Sequence, residues 1–115
     1  MRPALVIILA LIILSFQTKK LEKNKIGKKL AASCTNCHLA YDSNVGPTLL
    51  NIRKRRSLDW IYQFTINPMK FVSENSQARE VFNKYNRVQM TAFKLTKSEI
   101  SSILDYIDNV QQKKK

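Results

Sequence analysis

Two thiols and an imidazole stand together early in the chain, in the pentapeptide Cys34-Thr35-Asn36-Cys37-His38. The spacing C-x-x-C-H is the attachment signature of c-type haem. Each thiol can add across one haem vinyl group to form a thioether, and the histidine can supply an imidazole nitrogen to the iron. The two-residue spacer lets a single helical turn place both sulfurs along one edge of the porphyrin. The motif therefore predicts one covalently attached haem c whose iron is bound by His38.

Three other interpretations of these residues stay open. The chain has two cysteines and one histidine, so a structural zinc site, which takes four ligands, would need a carboxylate as well. A redox-active C-x-x-C would need a strand before it, and no β-branched run precedes Cys34. A disulfide between Cys34 and Cys37 would close a very small loop and add little stability. Residue counts and spacing favour haem over these three.

Residues 1–18 differ in character from the rest of the chain. An apolar run extends from Ala4 to Leu14 and on to Phe16. About 13 such residues suit a signal peptide better than a membrane-spanning helix, which needs about 20. No clear cleavage site follows, so an uncleaved membrane anchor is the alternative. Residues 19–25 are predicted to be a basic linker. The six lysines from Lys19 to Lys29 favour the cytoplasm. Haem attachment of this type occurs outside the bacterial cytoplasm, however, and we give the haem motif more weight.

Residues 26–112 predict one all-α domain, because apolar residues recur at helical spacing and no strand alternation is visible. A helix over residues 21–33 would deliver Cys34 from its C-terminal end. Ser57 can cap a second helix that ends before Asn67-Pro68. Loops are expected at residues 41–51 and 86–95. Between these loops a further helical stripe is formed by Ala78, Val81, Phe82 and Tyr85.

The last helix is the best-defined element of the sequence. Thr96-Lys97-Ser98-Glu99 forms a capping box, in which the threonine hydroxyl accepts from the Glu99 amide while the glutamate reaches back. One continuous apolar face follows, made of Ile100, Ile103, Leu104, Ile107 and Val110. These residues are predicted to pack in the core.

Four features, taken in order, make the chain resemble a single-haem class I cytochrome c of the small bacterial kind. They are the motif at Cys34 to His38, then Gly46-Pro47-Thr48-Leu49, then Met90-Thr91-Ala92-Phe93, then the amphipathic C-terminal helix with Tyr106. The resemblance covers roughly residues 26–110. It implies a cytochrome c-like fold, in which short helices wrap around one covalently attached haem.

By this resemblance the second axial ligand is a methionine shortly before the last helix, and Met90 holds that place. Met69 is the rival; it follows Pro68 and lacks the phenylalanine that trails the family's ligand, so we assign it to packing. The resemblance also implies that the Pro47 carbonyl accepts the Nδ1 proton of His38 and so fixes the imidazole. An ordinary turn is the alternative for Gly46-Pro47.

The chain departs from the family's pattern in two places, after the methionine and in the first helix. The residue after the methionine is usually proline, whereas here it is Thr91, which predicts a more labile Met90–iron bond. The family's first helix usually has glycine eight residues before the first cysteine and an aromatic residue four before it. Ile26 and Leu30 occupy those places, and Gly27 is displaced by one.

His/Met ligation leaves the iron no open position, which suits electron transfer. The expected function is therefore a one-electron carrier, without enzymatic activity, in an extracytoplasmic respiratory chain that ends in an oxidase or reductase. A haem-based sensor with a labile methionine ligand is the alternative, and a zinc module is a third hypothesis.

The net charge of +12 predicts redox partners with acidic docking surfaces, and the N-terminus predicts membrane association, whereas nucleic acid is not expected. Arg55, Arg56 and Trp60 are candidates to reach a haem propionate, with a solvated face or core packing as alternatives.

Overall fold

A computed structural model of the chain describes residues 2–38 and 45–113, which form five α-helices and one 3-10 turn and contain no strand. This agrees with the predicted all-α class. In chain order the elements are α1 (Pro3–Thr35), the 3-10 turn (Ile52–Lys54), α2 (Leu58–Ile66), α3 (Pro68–Glu74), α4 (Ser76–Lys84) and α5 (Lys97–Gln112). The loop predicted at residues 41–51 falls partly outside the described residues, and its remainder is irregular.

Helix α1 is longer than the helix predicted over residues 21–33. It begins at Pro3, whose missing amide costs nothing in a first turn, and continues through residues 19–25 without a break. The predicted basic linker is therefore helical. The helix is long and apolar enough to cross a membrane, and its large apolar residues from Leu5 to Phe16 are exposed.

The first and last helices pack closely where Gly27 of α1 meets α5. A Cβ atom on Gly27 would lie 2.3 Å from the Ser102 carbonyl oxygen and 3.1 Å from Cβ of Tyr106. Gly27 and Ala31 are the buried residues of α1, so small side chains let the two backbones approach. The displacement of glycine by one position thus does not prevent the two helices from crossing. They cross at Gly27 instead of at position 26.

The core lies along the apolar face of α5, as its sequence pattern predicts. Ile100 and Leu104 pack with Ile52 and Ile61, whereas Ile103 and Ile107 pack with Ala31 of α1. The capping box is present as well: the Glu99 amide donates to Thr96 Oγ1 at 3.1 Å, and the Thr96 amide donates to Glu99 Oε2 at 2.8 Å. The helix is therefore fixed at its start and packed along one face.

Helices α2, α3 and α4 follow one another with short connections. Ser57 caps α2 by accepting from the Trp60 amide at 3.2 Å, as predicted. The prediction that a helix ends before Asn67-Pro68 is correct for α2 but incomplete. Pro68 also occupies the first turn of α3, a helix that was not predicted from the sequence. Asn75 then caps α4 by accepting from the Ala78 amide.

Candidate functional site

The C-x-x-C-H motif lies where α1 ends. The amides of Cys37 and His38 both donate to the Cys34 carbonyl, at 3.3 and 3.0 Å, so the chain makes one further turn after the helix. Cys34 and Cys37 form no disulfide. Cys34 is half-buried, and this burial raises the pKa of its thiol by desolvation, whereas Cys37 is exposed. The two thiols are thus presented within one turn at the C-terminal end of α1.

His38 is held by the main chain of the Gly46-Pro47 turn. Its Nδ1 lies 2.8 Å from the Pro47 carbonyl oxygen. Because a carbonyl can only accept, Nδ1 carries the proton, and the lone pair of Nε2 is left for a metal. A Cβ on Gly46 would lie 2.8 Å from Cε1 of His38, so only glycine lets the backbone come this close to the ring. The contact that the resemblance implied is present.

Cys34 and His38 line an apolar cavity of about 530 Å³. Its walls come from the 3-10 turn and the segment before it, from α2, α4 and α5, and from the segment before α5; they include Leu49, Ile52, Phe64, Val81, Leu95 and Leu104. A smaller cavity of about 150 Å³ shares Cys34, His38, Pro47 and Met90 with it and adds Cys37. The volume of the larger cavity is in the range typical of cofactor sites, about 300–1,000 Å³.

The two candidate methionines differ in their positions. Met90 is half-buried and lines both cavities together with His38. Met69 is 40% exposed and lines neither. Met69 lies in the first turn of α3, which begins at Pro68. Met90 is therefore the methionine that the fold brings to the histidine.

Trp60 carries a buried polar atom without a partner. Its Nε1 makes no hydrogen bond within the described part of the chain, although such an orphan costs about 1–3 kcal/mol. Trp60 lines the larger cavity with Arg55 and Arg56, and the Arg56 guanidinium lies 4.8 Å from the Trp60 ring centroid. Arg55 donates to the carbonyls of Leu50 and Thr48, at 3.1 and 2.8 Å. A bound molecule with an acidic group, such as a haem propionate, would satisfy the tryptophan, so the residues present fit haem.

Helix α4 contributes to the site in a way that the sequence analysis missed. Val81 and Tyr85 were assigned to an apolar stripe only, yet they line both cavities, as does Phe64 of α2. Apolar residues at helical spacing look alike whether they face other side chains or a cofactor, so the pattern alone does not distinguish the two.

Zinc ligands are not gathered anywhere in residues 2–38 and 45–113, where no group of three or more His, Cys, Asp or Glu side chains could hold a metal ion. The zinc interpretation therefore gains no support from the described residues.

Comparison with known proteins gives one match. A family model described as Cytochrome c matches residues 25–111. No curated protein and no solved structure matches the chain significantly. The match spans most of the chain and includes both cysteines, His38 and Met90. The chain therefore belongs to the cytochrome c family: it is an all-α, haem-based electron carrier that binds iron in covalently attached haem c.

Proposed function

We propose that this cytochrome c carries single electrons in an extracytoplasmic bacterial respiratory chain, delivers them to a terminal oxidase or reductase, and catalyses no reaction of its own. The observation that carries the proposal is that His38 and Met90 line the same cavity. Bound haem supplies a one-electron iron centre, whose potential is higher with His/Met than with bis-histidine ligation.

The chain's own residues then have distinct tasks. Cys34 and Cys37 would hold the haem edge through thioethers, and His38 would offer Nε2 to the iron while its Nδ1 proton stays on the Pro47 carbonyl. Met90 would offer its thioether sulfur to the same iron. With His38 and Met90 both holding the iron, no site would be left for a substrate, which suits electron transfer.

Removing the Met90 thioether tests this ligation. We expect Met90→Ala to abolish the far-red sulfur-to-iron absorption band of the oxidised protein and to lower the reduction potential, since methionine ligation raises it. Met69→Ala is the matched control and should leave the band intact, because Met69 lines neither cavity.

The alternative function is a haem-based sensor in which Met90 dissociates, and the observation that favours it is Thr91 in place of proline. A wild-type protein without the far-red band that binds carbon monoxide readily would favour the sensor over the carrier. A band lost in Met69→Ala but retained in Met90→Ala would contradict the ligand assignment.

We propose that the redox partners present acidic docking surfaces. Most carboxylates of the described residues already have a partner within the domain, so few of them remain to neutralise the other lysines and arginines on its surface. They are Asp105 and Asp108 with Arg53, Asp59 with Lys97, Glu74 with Lys70, and Glu99 in the capping box. Unneutralised cations steer association with an acidic partner.

This docking predicts a salt dependence. The second-order rate of electron transfer to an acidic redox partner should fall by about tenfold or more between low and high ionic strength, because screening removes the steering. Stopped-flow measurement with a neutral small-molecule oxidant is the control and should show little change. A partner rate that stays flat would contradict electrostatic docking.

We also propose that residues 1–18 remain as a membrane anchor. The support is the continuity of α1, which runs from the exposed apolar segment to Thr35 without a break. At about 1.5 Å per residue, Cys34 lies about 27 Å along the helix from Phe16. Lys23 also pairs with Asp105 of α5 at 3.5 Å, which ties the helix to the domain soon after the apolar segment.

An uncleaved anchor predicts that the mature haem protein stays in the membrane fraction after washing at high salt and at alkaline pH. Its intact mass should include residues 1–18 as well as the haem. A signal peptide would instead give a shorter protein that is released without detergent, so the intact mass alone separates the two outcomes.

A further inference from the structure

The segment that bears Met90 is pinned on both sides by main-chain hydrogen bonds. On the N-terminal side the amide of Arg87 donates to the Phe82 carbonyl at 2.9 Å, and the amide of Val88 donates to the Tyr85 carbonyl at 3.2 Å. On the C-terminal side the Phe93 amide donates to the Thr65 carbonyl at 2.9 Å. Only residues 89–92 lie between these two points.

The turn before Met90 is tightly determined. Asn86 and Arg87 have φ values of 58° and 56°, in the left-handed region where residues other than glycine are uncommon. Residues 85–87 form a turn directly after α4. Met90 lies three residues beyond this turn.

The contact after Met90 reaches a distant part of the chain. Thr65 lies in the last turn of α2 (Leu58–Ile66), where carbonyls lack partners within the helix. The Phe93 amide supplies one, and the half-buried Phe93 side chain also lines the smaller cavity beside Met90. The hydrogen bond therefore fastens the Met90 segment to a helix that forms the cavity wall.

We propose that the Phe93 amide is the positioning group that keeps Met90 in the cavity, in place of the stiffening that a proline after the methionine would give. The inference rests on Met90 as axial ligand. A proline restricts the segment by removing backbone conformations, whereas the bond from Phe93 to Thr65 restricts it by fixing its end. Thr91 is then compatible with a stable methionine ligand.

Two variants at one position separate the amide from the side chain. Phe93→Ala removes the ring and keeps the N–H, whereas Phe93→Pro removes both. A hydrogen bond of this kind contributes about 0.5–1.5 kcal/mol, so Phe93→Pro should shift the equilibrium between bound and dissociated Met90 about two- to tenfold beyond Phe93→Ala. The far-red band, followed with temperature, and the rate of carbon monoxide binding both report this equilibrium.

A rescue experiment separates the positioning of Met90 from a purely structural role of the Phe93 amide. The measured quantity is the temperature at which half of the far-red band is lost. Adding Thr91→Pro to Phe93→Pro should restore part of the fall in this temperature, whereas Thr91→Pro alone should raise it much less. Slow hydrogen exchange of the Phe93 amide in the wild-type holoprotein, compared with Thr91 and Ala92, is expected as well and does not depend on the folding of any variant.

The outcomes distinguish this inference from the proposed function. If the wild type shows the band but Phe93→Pro behaves as Phe93→Ala, or if the Phe93 amide exchanges as fast as its neighbours, the positioning role is wrong and Met90 ligation stands. If the wild type lacks the band, the ligand assignment fails and the positioning role falls with it.

Discussion

The double variant Cys34→Ser, Cys37→Ser will lose covalently bound haem entirely, so that haem staining on a denaturing gel falls to background. A serine hydroxyl does not replace a thiol in forming the thioether, and ligation by His38 and Met90 without a covalent bond leaves the cofactor exchangeable. Met69→Ala is the control and should stain as the wild type, since Met69 lines neither cavity. Staining that survives in the double variant would contradict attachment at these cysteines.

The same variant should lose much of its folded structure. The larger cavity measures about 530 Å³, and the side chains around it would have no atoms to contact on that side if haem were absent. A tightly bound cofactor stabilises the folded chain by mass action, so losing it removes that contribution as well. Far-ultraviolet circular dichroism with thermal unfolding will show a large fall in helix content or in the midpoint.

Features encoded over a few residues could be predicted from the sequence. The capping box at Thr96 and the cap at Ser57 depend on contacts three residues apart, and both are present. The C-x-x-C-H motif is likewise local. The contact between His38 and Pro47 was expected only because of the family resemblance; spacing alone left an ordinary turn as an alternative.

What the sequence did not reveal depends on long-range geometry. Helix α3 was missed because proline is compatible with both the end of one helix and the first turn of the next. The hydrogen bond between Phe93 and Thr65 joins segments far apart in the chain. It uses main-chain atoms, so no particular residue type in the sequence marks it. Thr91 therefore suggested a labile ligand segment, although the structure restrains the Met90 segment through the Phe93 amide.

The position at which α1 and α5 cross also depends on long-range geometry. It predicts whether a substitution at Gly27 raises or lowers the stability of the protein. Counting from Cys34, the family's pattern expects the close approach at Ile26, yet Gly27 faces α5. Helix propensity alone predicts that Gly27→Ala stabilises α1 by about 1 kcal/mol. The crossing predicts the opposite, because the new Cβ would lie 2.3 Å from the Ser102 carbonyl oxygen and main-chain atoms of two packed helices must move apart.

We therefore expect Gly27→Ala to lower the free energy of unfolding of the holoprotein by about 1–3 kcal/mol, the cost typical of overpacking, and Gly27→Val to lower it further. Guanidinium-induced unfolding followed by haem absorbance measures this. Ala32→Gly is the matched control: Ala32 is exposed on the same helix, so its replacement should cost only the propensity difference of about 1 kcal/mol. If Gly27→Ala instead stabilises the protein, α1 and α5 do not cross at Gly27, and the small residues of α1 owe their burial to something other than the approach of two backbones.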